Sequence, residues 1–462
     1  MRRLESLKRV CVLWLSLAGL LLETAVYAYI WFRNYYPIVN RFNLGLKFFF
    51  KGHLLIIAIY FVLLFFFTST YGGLKIGYLK PGDVFLSQLV SLCIVDVITY
   101  FQISLMSNRL VPVVYFAQAL VLQLLISGIW TAFCNRVYRR VFPPREMLLV
   151  HGHRSIEDIL RKFESRRDKY RITKCVNIKE GIWKIQEEID SGFHAVVLWD
   201  ISTEDRNKLL KYCYSRSVRV YMMPKIPDVL IAGADQLHLF DTPIFLTREY
   251  ALTVEQRMAK RMIDLVLSLV LTILTSPIML ITAICIKCYD GGPILYKQTR
   301  CTCGGREFRI MKFRSMKVDA EKDGVARLST GDKDDRITKV GHIIRACRLD
   351  ELPQLLNILK GDLSVVGPRP ERPEIAAQYC EEMPEFALRL QAKAGLTGYA
   401  QVYGKYNTTP YDKLQMDLMY IAHPSLIEDL KIMLATVKIL FMPESTEGIS
   451  EGQTTAMSGE NH

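Results

Sequence analysis

The chain has 462 residues, half of them hydrophobic, with a positive mean hydropathy and a formal net charge of +13. That length allows roughly three domains of about 150 residues each, and the hydropathy is high for a soluble protein and fits a membrane protein with cytosolic parts. The excess of Lys and Arg favours anionic partners, and no stretch resembles a nucleic-acid module, so lipid headgroups and nucleotides are favoured over nucleic acid.

Four apolar segments in the first third approach or exceed the ~20 residues that a bilayer core requires. They are Val10–Phe32, Leu54–Ser69 with its flanks, Val84–Met106 and Val111–Phe133. The first is too long for a signal peptide and reads as a signal anchor. Arg2, Arg3, Lys8 and Arg9 precede it, and Arg136, Arg139, Arg140 and Arg145 follow the fourth segment. An even number of spans with basic flanks places both ends in the cytoplasm. Arg33, Arg41, Lys47 and Lys51 in the first loop oppose that count unless an interfacial helix lets the lysines snorkel. Residues 1–145 are therefore expected to form a four-span helical membrane bundle. Glu23, Gln88 and Asp96 fall inside the spans, where an acid is a functional candidate. A polar contact between packed helices is the preferred reading, since no relay of such residues forms.

Residues 146–250 alternate short apolar strands with amphipathic helices. Strands are expected at Met147–Val150, Ile172–Val176, Ala195–Trp199 and Val218–Met222, with helices at Ile156–Lys162, Gly181–Ser191 and Thr203–Ser215. That alternation predicts a parallel, Rossmann-like α/β domain. The first strand runs into His151-Gly152-His153-Arg154-Ser155, where a dinucleotide fingerprint needs three glycines, and no ribose-binding acid follows the second strand. The fold is expected without the cofactor, and a regulatory or dimerising role suits it.

A fifth apolar stretch, Met262–Cys288, has Arg257, Lys260 and Arg261 before it and Lys287, Lys297 and Arg300 after it. Positive charge on both sides argues that both ends face the cytoplasm. Ser276-Pro277 lies at its middle, where proline removes a backbone donor and the serine can satisfy the freed carbonyl. A re-entrant helix over 262–288 meets both constraints. The alternative, a fifth straight span, would put residues 289–462 outside the cell. Cys285-x-x-Cys288 and Cys301-x-Cys303 have a zinc-like spacing. The first pair sits on a greasy helix, which favours buried or idle thiols.

Between Gly292 and Tyr420 polar residues cluster: Lys312-Phe313-Arg314-Ser315-Met316 with Asp319, then Arg345, Arg348, Asp350 and Glu351, then Gly367-Pro368-Arg369-Pro370 and Gly395-Leu396-Thr397-Gly398. Singly, Asp350 would be a helix N-cap with Pro353 in the first turn, Arg314 or Arg369 a surface charge, and Gly367-Pro368 a turn. Together they suit a diphosphate, since arginine binds phosphate oxygens through a planar fork. A carboxylate beside such a site binds magnesium or attacks phosphorus. Nearby cations and a helix N-terminus are expected to keep Asp350 ionised. Adjacent on a helix, Asp350 and Glu351 would point about 100° apart and hold different roles.

The stretch from about Ala259 to Phe441 resembles the bacterial sugar transferases, the polyprenyl-phosphate hexose-1-phosphate transferases or monotopic phosphoglycosyl transferases. The resemblance rests on Lys260-Arg261-x-x-Asp264, Ser276-Pro277, Lys312-Phe313-Arg314-Ser315-Met316, Leu349-Asp350-Glu351-Leu352-Pro353-Gln354, Val366-Gly367-Pro368-Arg369-Pro370 and Gly395-Leu396-Thr397-Gly398. Four spans and an α/β domain ahead of the catalytic part are similar to the family's large subgroup. The segment Gln298-Thr299-Arg300-Cys301-Thr302-Cys303 departs from the family pattern.

The resemblance implies an α/β monotopic catalytic domain over 251–442 with the re-entrant helix broken at Ser276 and Pro277. It implies transfer of hexose-1-phosphate from a UDP-sugar to undecaprenyl phosphate, with release of UMP, on the cytoplasmic face of a bacterial inner membrane. Asp350 would be the nucleophile and Glu351 would help hold Mg²⁺. Arg314 and Arg369 would bind phosphate or nucleotide, with Lys312, Ser315, Arg345, Arg348, Pro368 and Pro370 around them. The sugar is open, glucose or galactose being the commoner choices, and a homodimer is compatible with the spans and the middle domain. Two alternatives stand beside this reading: a membrane oxidoreductase using the middle domain, and a non-catalytic scaffold. The tail 443–462 is polar and expected to be disordered.

Overall fold

The computed structural model describes residues 2–42, 50–152, 154–249, 252–318, 334, 336–404 and 408–440. Two compact units divide it, Met1–Met223 and Pro224–His462. The tail expected to be disordered lies outside the described residues, as do Lys47 and Asp319.

The first unit begins with α1 (Arg2–Ile30), which passes through a π-helical turn at Trp31–Tyr35 into α2 (Tyr36–Phe42). Next come α3 (Phe50–Tyr71), α4 (Pro81–Met106) and α5 (Val114–Val141). All four expected spans fall on helices long and apolar enough to cross a bilayer, the last beginning at Val114 rather than Val111. Large apolar side chains such as Leu21, Phe66, Phe101 and Ile129 point outward, and polar side chains point inward. That is the pattern lipid selects, since only internal partners can satisfy polar groups there. Gln88 Oε1 accepts from Thr131 Oγ1 at 2.9 Å and also from Ser127. Tyr60 OH donates to Asp96 at 2.8 Å, and Gln123 Nε2 donates to Tyr60 OH at 2.8 Å and to Glu23 O at 3.0 Å. Gln88 and Asp96 are thus partners across packed helices, while Glu23 takes part through its backbone carbonyl.

The same unit carries β1 (Arg145–His151), α6 (Glu157–Glu164), β2 (Tyr170–Asn177), α7 (Ile182–Asp190), β3 (Ala195–Trp199), α8 (Thr203–Ser215) and β4 (Arg219–Met222). The sheet is wholly parallel in the order β2-β1-β3-β4. Alternate residues feed two cores: Leu148, Val150, Val196 and Leu198 on one face, Met147, Leu149, Ala195 and Val197 on the other. Helices cover both faces, which is why these strands read as continuous apolar runs. Gly152 permits close contact at the ends of β1 and β3. A Cβ there would sit 1.8 Å from Asp200 O, and Gly152 N donates to Trp199 O at 3.0 Å.

The second unit opens with α9 (Ile226–Ala232) and a hairpin of β5 (Asp235–Leu239) and β6 (Thr242–Leu246). The middle domain expected over 146–250 therefore contributes sheet only as far as Met222. Ile226 and Val229 are buried in the second unit's core, which draws this stretch there.

Then comes α10 (Val254–Asp290), a helix of 37 residues, about 55 Å long at 1.5 Å per residue. After it the chain makes the hairpin β7 (Leu295–Cys301) and β8 (Glu307–Phe313), then α11 (Lys339–Ala346), α12 (Gln354–Lys360) and β9 (Ser364–Val366). It ends with α13 (Pro373–Glu382), β10 (Gly395–Thr397), α14 (Tyr399–Tyr403), α15 (Pro410–Ala422) and α16 (Leu426–Ile439). One core joins Phe308 and Ile310 of β8, Leu355 and Ile358 of α12, Leu414 and Leu418 of α15, and Ile432 of α16.

Both ends of α10 pack on this unit. Near its start Lys260 Nζ donates to Val366 O and Tyr420 OH at 3.0 Å and pairs with Asp429. Arg261 donates to the last carbonyls of α12, Ile358 O at 2.7 Å and Leu359 O at 3.0 Å, where a cation suits the helix dipole. Asp264 Oδ1 accepts from Val365 N at 2.9 Å and from Ser364 Oγ at 3.1 Å. Near its end Met279, Ala283 and Ile286 pack with Phe313 and Ile344. Between these anchors Leu269, Ile273, Leu274 and Ile281 are exposed. Pro277 lies in this stretch, and Ser276 Oγ donates at 2.8 Å to Ile273 O, the carbonyl whose ordinary helical partner the proline removes.

Candidate active site

Asp350 and Glu351 lie on a 3₁₀ turn, Leu349–Glu351, between α11 and α12. Arg348, just before them, adopts a left-handed backbone with φ of 52°, a conformation costing about 1–2 kcal/mol for a residue with a Cβ. That strained residue bends the chain so that the acids lead α12 without belonging to it. No side chain caps α12, whose N-cap is Pro353, so the N-cap reading of Asp350 does not describe this geometry.

Glu351 and β8 meet because Asn357 ties their elements together. Asn357 is buried, its Oδ1 accepts from Met311 N at 3.0 Å, and its Nδ2 donates to Arg309 O at 2.9 Å. The strand then delivers Lys312 Nζ to within 3.2 Å of Glu351 Oε1. Arg369 Nη2 reaches the same oxygen at 3.4 Å.

Arg369 belongs to the irregular segment after β9, and that segment closes on β10 through glycines. A Cβ on Gly395 would fall 2.1 Å from Gly367 N, and one on Gly398 would fall 2.1 Å from Gly367 O. The two glycine motifs are thus one contact seen from both sides. Gly395 N donates to Pro368 O at 2.9 Å and Gly367 N to Thr397 O at 2.9 Å.

The result is a cleft open to solvent, lined among others by Arg300, Lys312, Glu351, Gln354, Arg369 and Pro370. Of the two acids only Glu351 is among the lining residues, Asp350 standing beside it in the turn, and the two are unlike. Burial works against ionisation of Glu351, yet Lys312, Arg369 and Arg348 together outweigh it and pull its carboxyl down to about 2. Asp350 moves the other way. Burial, reinforced by the charge of Glu351, raises it above the usual carboxylate range against Lys312, Arg345 and Arg369. The cations expected to hold Asp350 ionised act mainly on its neighbour, which Lys312 and Arg369 contact directly. One acid is held ionised by its cations, and the other is the more basic of the two.

The remaining predicted residues are placed as follows. Arg345, in the last turn of α11, and Arg348 act on the acids through their charge. Pro370 O accepts from Arg300 Nη1 at 3.1 Å. Arg314 turns from the cleft lining to the end of α10, donating to both oxygens of Asp290, one at 2.7 Å, and to Pro293 O at 2.8 Å. Ser315 contributes its carbonyl, which takes Thr338 N at 3.0 Å and sits where a Cβ on Gly341 would be 1.9 Å away. Ser276 and Pro277 stay on α10 and line no part of the cleft.

Sequence reasoning passed over three contributors. Asn357 was detectable as the one polar residue inside an apolar run. Arg300 lay in a segment that departs from the family pattern. Arg389 donates to Arg369 O at 2.9 Å and carried no local signal.

A family model for bacterial sugar transferases matches residues 255–443. The UDP-glucose:undecaprenyl-phosphate glucose-1-phosphate transferase of Caulobacter vibrioides is 44% identical over 191 residues, covering 40% of this chain and 71% of that protein. The UDP-N-acetylgalactosamine-undecaprenyl-phosphate N-acetylgalactosaminephosphotransferase of Aeromonas hydrophila is 34% identical over 276 residues, 56% of this chain and 62% of that protein. The UDP-glucose:undecaprenyl-phosphate glucose-1-phosphate transferase of Escherichia coli is 38% identical over 210 residues, 44% of this chain and 43% of that protein. The matches thus cover less than two thirds of the latter two proteins.

Proposed function

This chain belongs to the bacterial sugar transferase family, and from that premise we propose that it transfers a hexose-1-phosphate from a UDP-sugar to undecaprenyl phosphate and releases UMP. The observation that carries the reading is the cleft itself. Glu351 and the cations Lys312 and Arg369 converge there, with the more basic Asp350 beside Glu351 on the same turn, all within the stretch that the family model matches.

In the first step Asp350 attacks the phosphorus that bears the sugar. The bond from that phosphorus to the UMP oxygen breaks, UMP leaves with the electron pair, and an acyl-phosphate joins the sugar to Asp350. In the second step an oxygen of the lipid phosphate attacks the same phosphorus and the carboxylate departs unchanged. Lys312, Arg369 and Arg348 offset the charge of the donor diphosphate. Glu351 is held anionic by its three cations, and it is the carboxylate that would help hold Mg²⁺, a cation that prefers hard oxygen donors. Bound there, Mg²⁺ would neutralise the diphosphate and favour departure of UMP.

The membrane reading rests on α10. Both its ends pack on the second unit, its middle is apolar and exposed, and Ser276 satisfies the carbonyl that Pro277 frees. A helix that enters the bilayer, bends at Pro277 and returns keeps residues 291–440 on the side where it entered. With the basic flanks, that side is the cytoplasmic face of the bacterial inner membrane, crossed several times by the N-terminal helices.

The test is incubation of membranes containing the full-length protein with a panel of UDP-sugars (glucose, galactose and their N-acetylated forms), Mg²⁺ and undecaprenyl phosphate. One donor should give lipid-linked sugar and UMP in equal amounts. No UMP from any donor overturns the reading.

A further inference from the structure

Arg369 must present its guanidinium to the cleft from a segment, Pro368–Arg372, that has no regular secondary structure. Four consecutive carbonyls of that segment are each held from outside. Pro368 O takes Gly395 N at 2.9 Å, Arg369 O takes Arg389 Nη2 at 2.9 Å, Pro370 O takes Arg300 Nη1 at 3.1 Å, and Glu371 O takes Cys301 N at 3.0 Å. Of these four bonds, the one from Arg389 falls on the carbonyl of Arg369 itself.

Arg389 is 6% exposed and Asp417 1%. Nε and Nη2 of Arg389 both donate to Asp417 Oδ2, at 3.1 and 2.7 Å, and Nη1 lies 3.5 Å from Glu371 Oε1. A sealed ion pair of this kind is a poor way to stabilise a core, because desolvation offsets much of the attraction and apolar residues of similar volume serve as well. Its value lies in direction. A guanidinium held by a carboxylate on α15 has one remaining geometry, and here that geometry ends on Arg369 O.

We propose that Arg389, fixed by Asp417, is a positioning residue that sets the Arg369 backbone so that the Arg369 guanidinium meets the donor diphosphate. The inference rests on reading the cleft as the donor site. It requires that loss of Arg389 act through Arg369.

The test is a double-mutant cycle on the purified full-length protein with Mg²⁺, measuring the Kd for UDP beside thermal unfolding. Arg389→Lys keeps the charge and loses the fork. It should weaken UDP binding about tenfold, the cost of one misplaced charge-assisted contact. Arg369→Ala should weaken binding at least as much, and Arg389→Lys in that background should change it less than about twofold. Equal effects of Arg389→Lys in both backgrounds, lower thermal stability with unchanged Kd, or unchanged binding in Arg369→Ala would each overturn the proposal. If Arg389→Lys does not accumulate, Asp417→Asn takes its place in the cycle with the same outcomes. A wild-type protein that binds no UDP sinks the donor-site reading itself. Tight binding with an additive cycle sinks only the role of Arg389.

Discussion

Lys312 Nζ lies 3.2 Å from Glu351 Oε1, so the cation at the end of β8 is in direct contact with the second acid of the pair and acts on Asp350 through its charge. That contact makes the two adjacent carboxylates electrostatically unequal. It leads to predictions that separate them.

Asp350→Asn should abolish transfer, lowering kcat by about 10³-fold or more, as removal of a nucleophile does. Incubated with labelled UDP-sugar alone, the wild-type protein should retain sugar phosphate at position 350 and the variant should not. Glu351→Gln should still take the label but need more Mg²⁺ to do so. Label found on the Asp350→Asn protein would remove the covalent step.

The pH profile follows from the raised Asp350 carboxyl. The nucleophile works ionised, so kcat/KM should fall as pH drops through that raised value, earlier than for an ordinary carboxylate. Burial is the larger cause and the charge of Glu351 the second. Glu351→Gln removes the second cause, so the acid limb should move to lower pH. A limb that stays in place, or moves up, contradicts the assignment of charges within the pair.

Gly395→Ala places a Cβ 2.1 Å from Gly367 N, where backbone must give way. Overpacking at such a contact costs about 1–3 kcal/mol. Because the contact holds the segment that carries Arg369, the KM for UDP-sugar should rise as well. Thermal unfolding and initial rates on the same preparation check both effects. A variant with native kinetics would show that the segment closes without this approach.

Arg314 donates to Asp290 and Pro293 O, joining the end of α10 to the strand that carries Lys312. Arg314→Gln should therefore lower thermal stability more than it raises KM for the UDP-sugar. The opposite split would return Arg314 to the substrate, as its motif suggests.

The exposed thiols of Cys303 and Cys347 lie beyond α10 in sequence. In intact spheroplasts a membrane-impermeant maleimide should leave both unlabelled, and permeabilisation should expose them. Labelling before permeabilisation would mean that α10 crosses the membrane.

Elements governed by local pattern were legible in the chain. The strand Ala195–Trp199 and the helix Thr203–Ser215 have their expected ends, since periodicity and capping by Ser202 suffice there. The serine beside Pro277 was readable too, because the carbonyl it satisfies lies one turn away. What escaped depends on residues distant in the chain. The left-handed Arg348 has no residue-type signature. The Asp290 that takes Arg314 lies 24 residues upstream. Residues 224–232 leave the sheet domain because Ile226 and Val229 find a core built much later in the sequence. The acid pair itself was visible, but its inequality was not, since only the fold shows which acid each cation touches.

A helix fastened to one body at both ends is a tether of fixed length. Lys260 and Ile286 are held 26 positions apart along α10, and the apolar stretch between them has no freedom to pay out or retract. On the re-entrant reading proposed for α10, the height of Asp350 above the hydrocarbon would be set by how far residues 269–281 sink. Membrane thickness and lipid composition should tune the meeting of a water-borne donor with a headgroup acceptor, with no change in the protein's own shape.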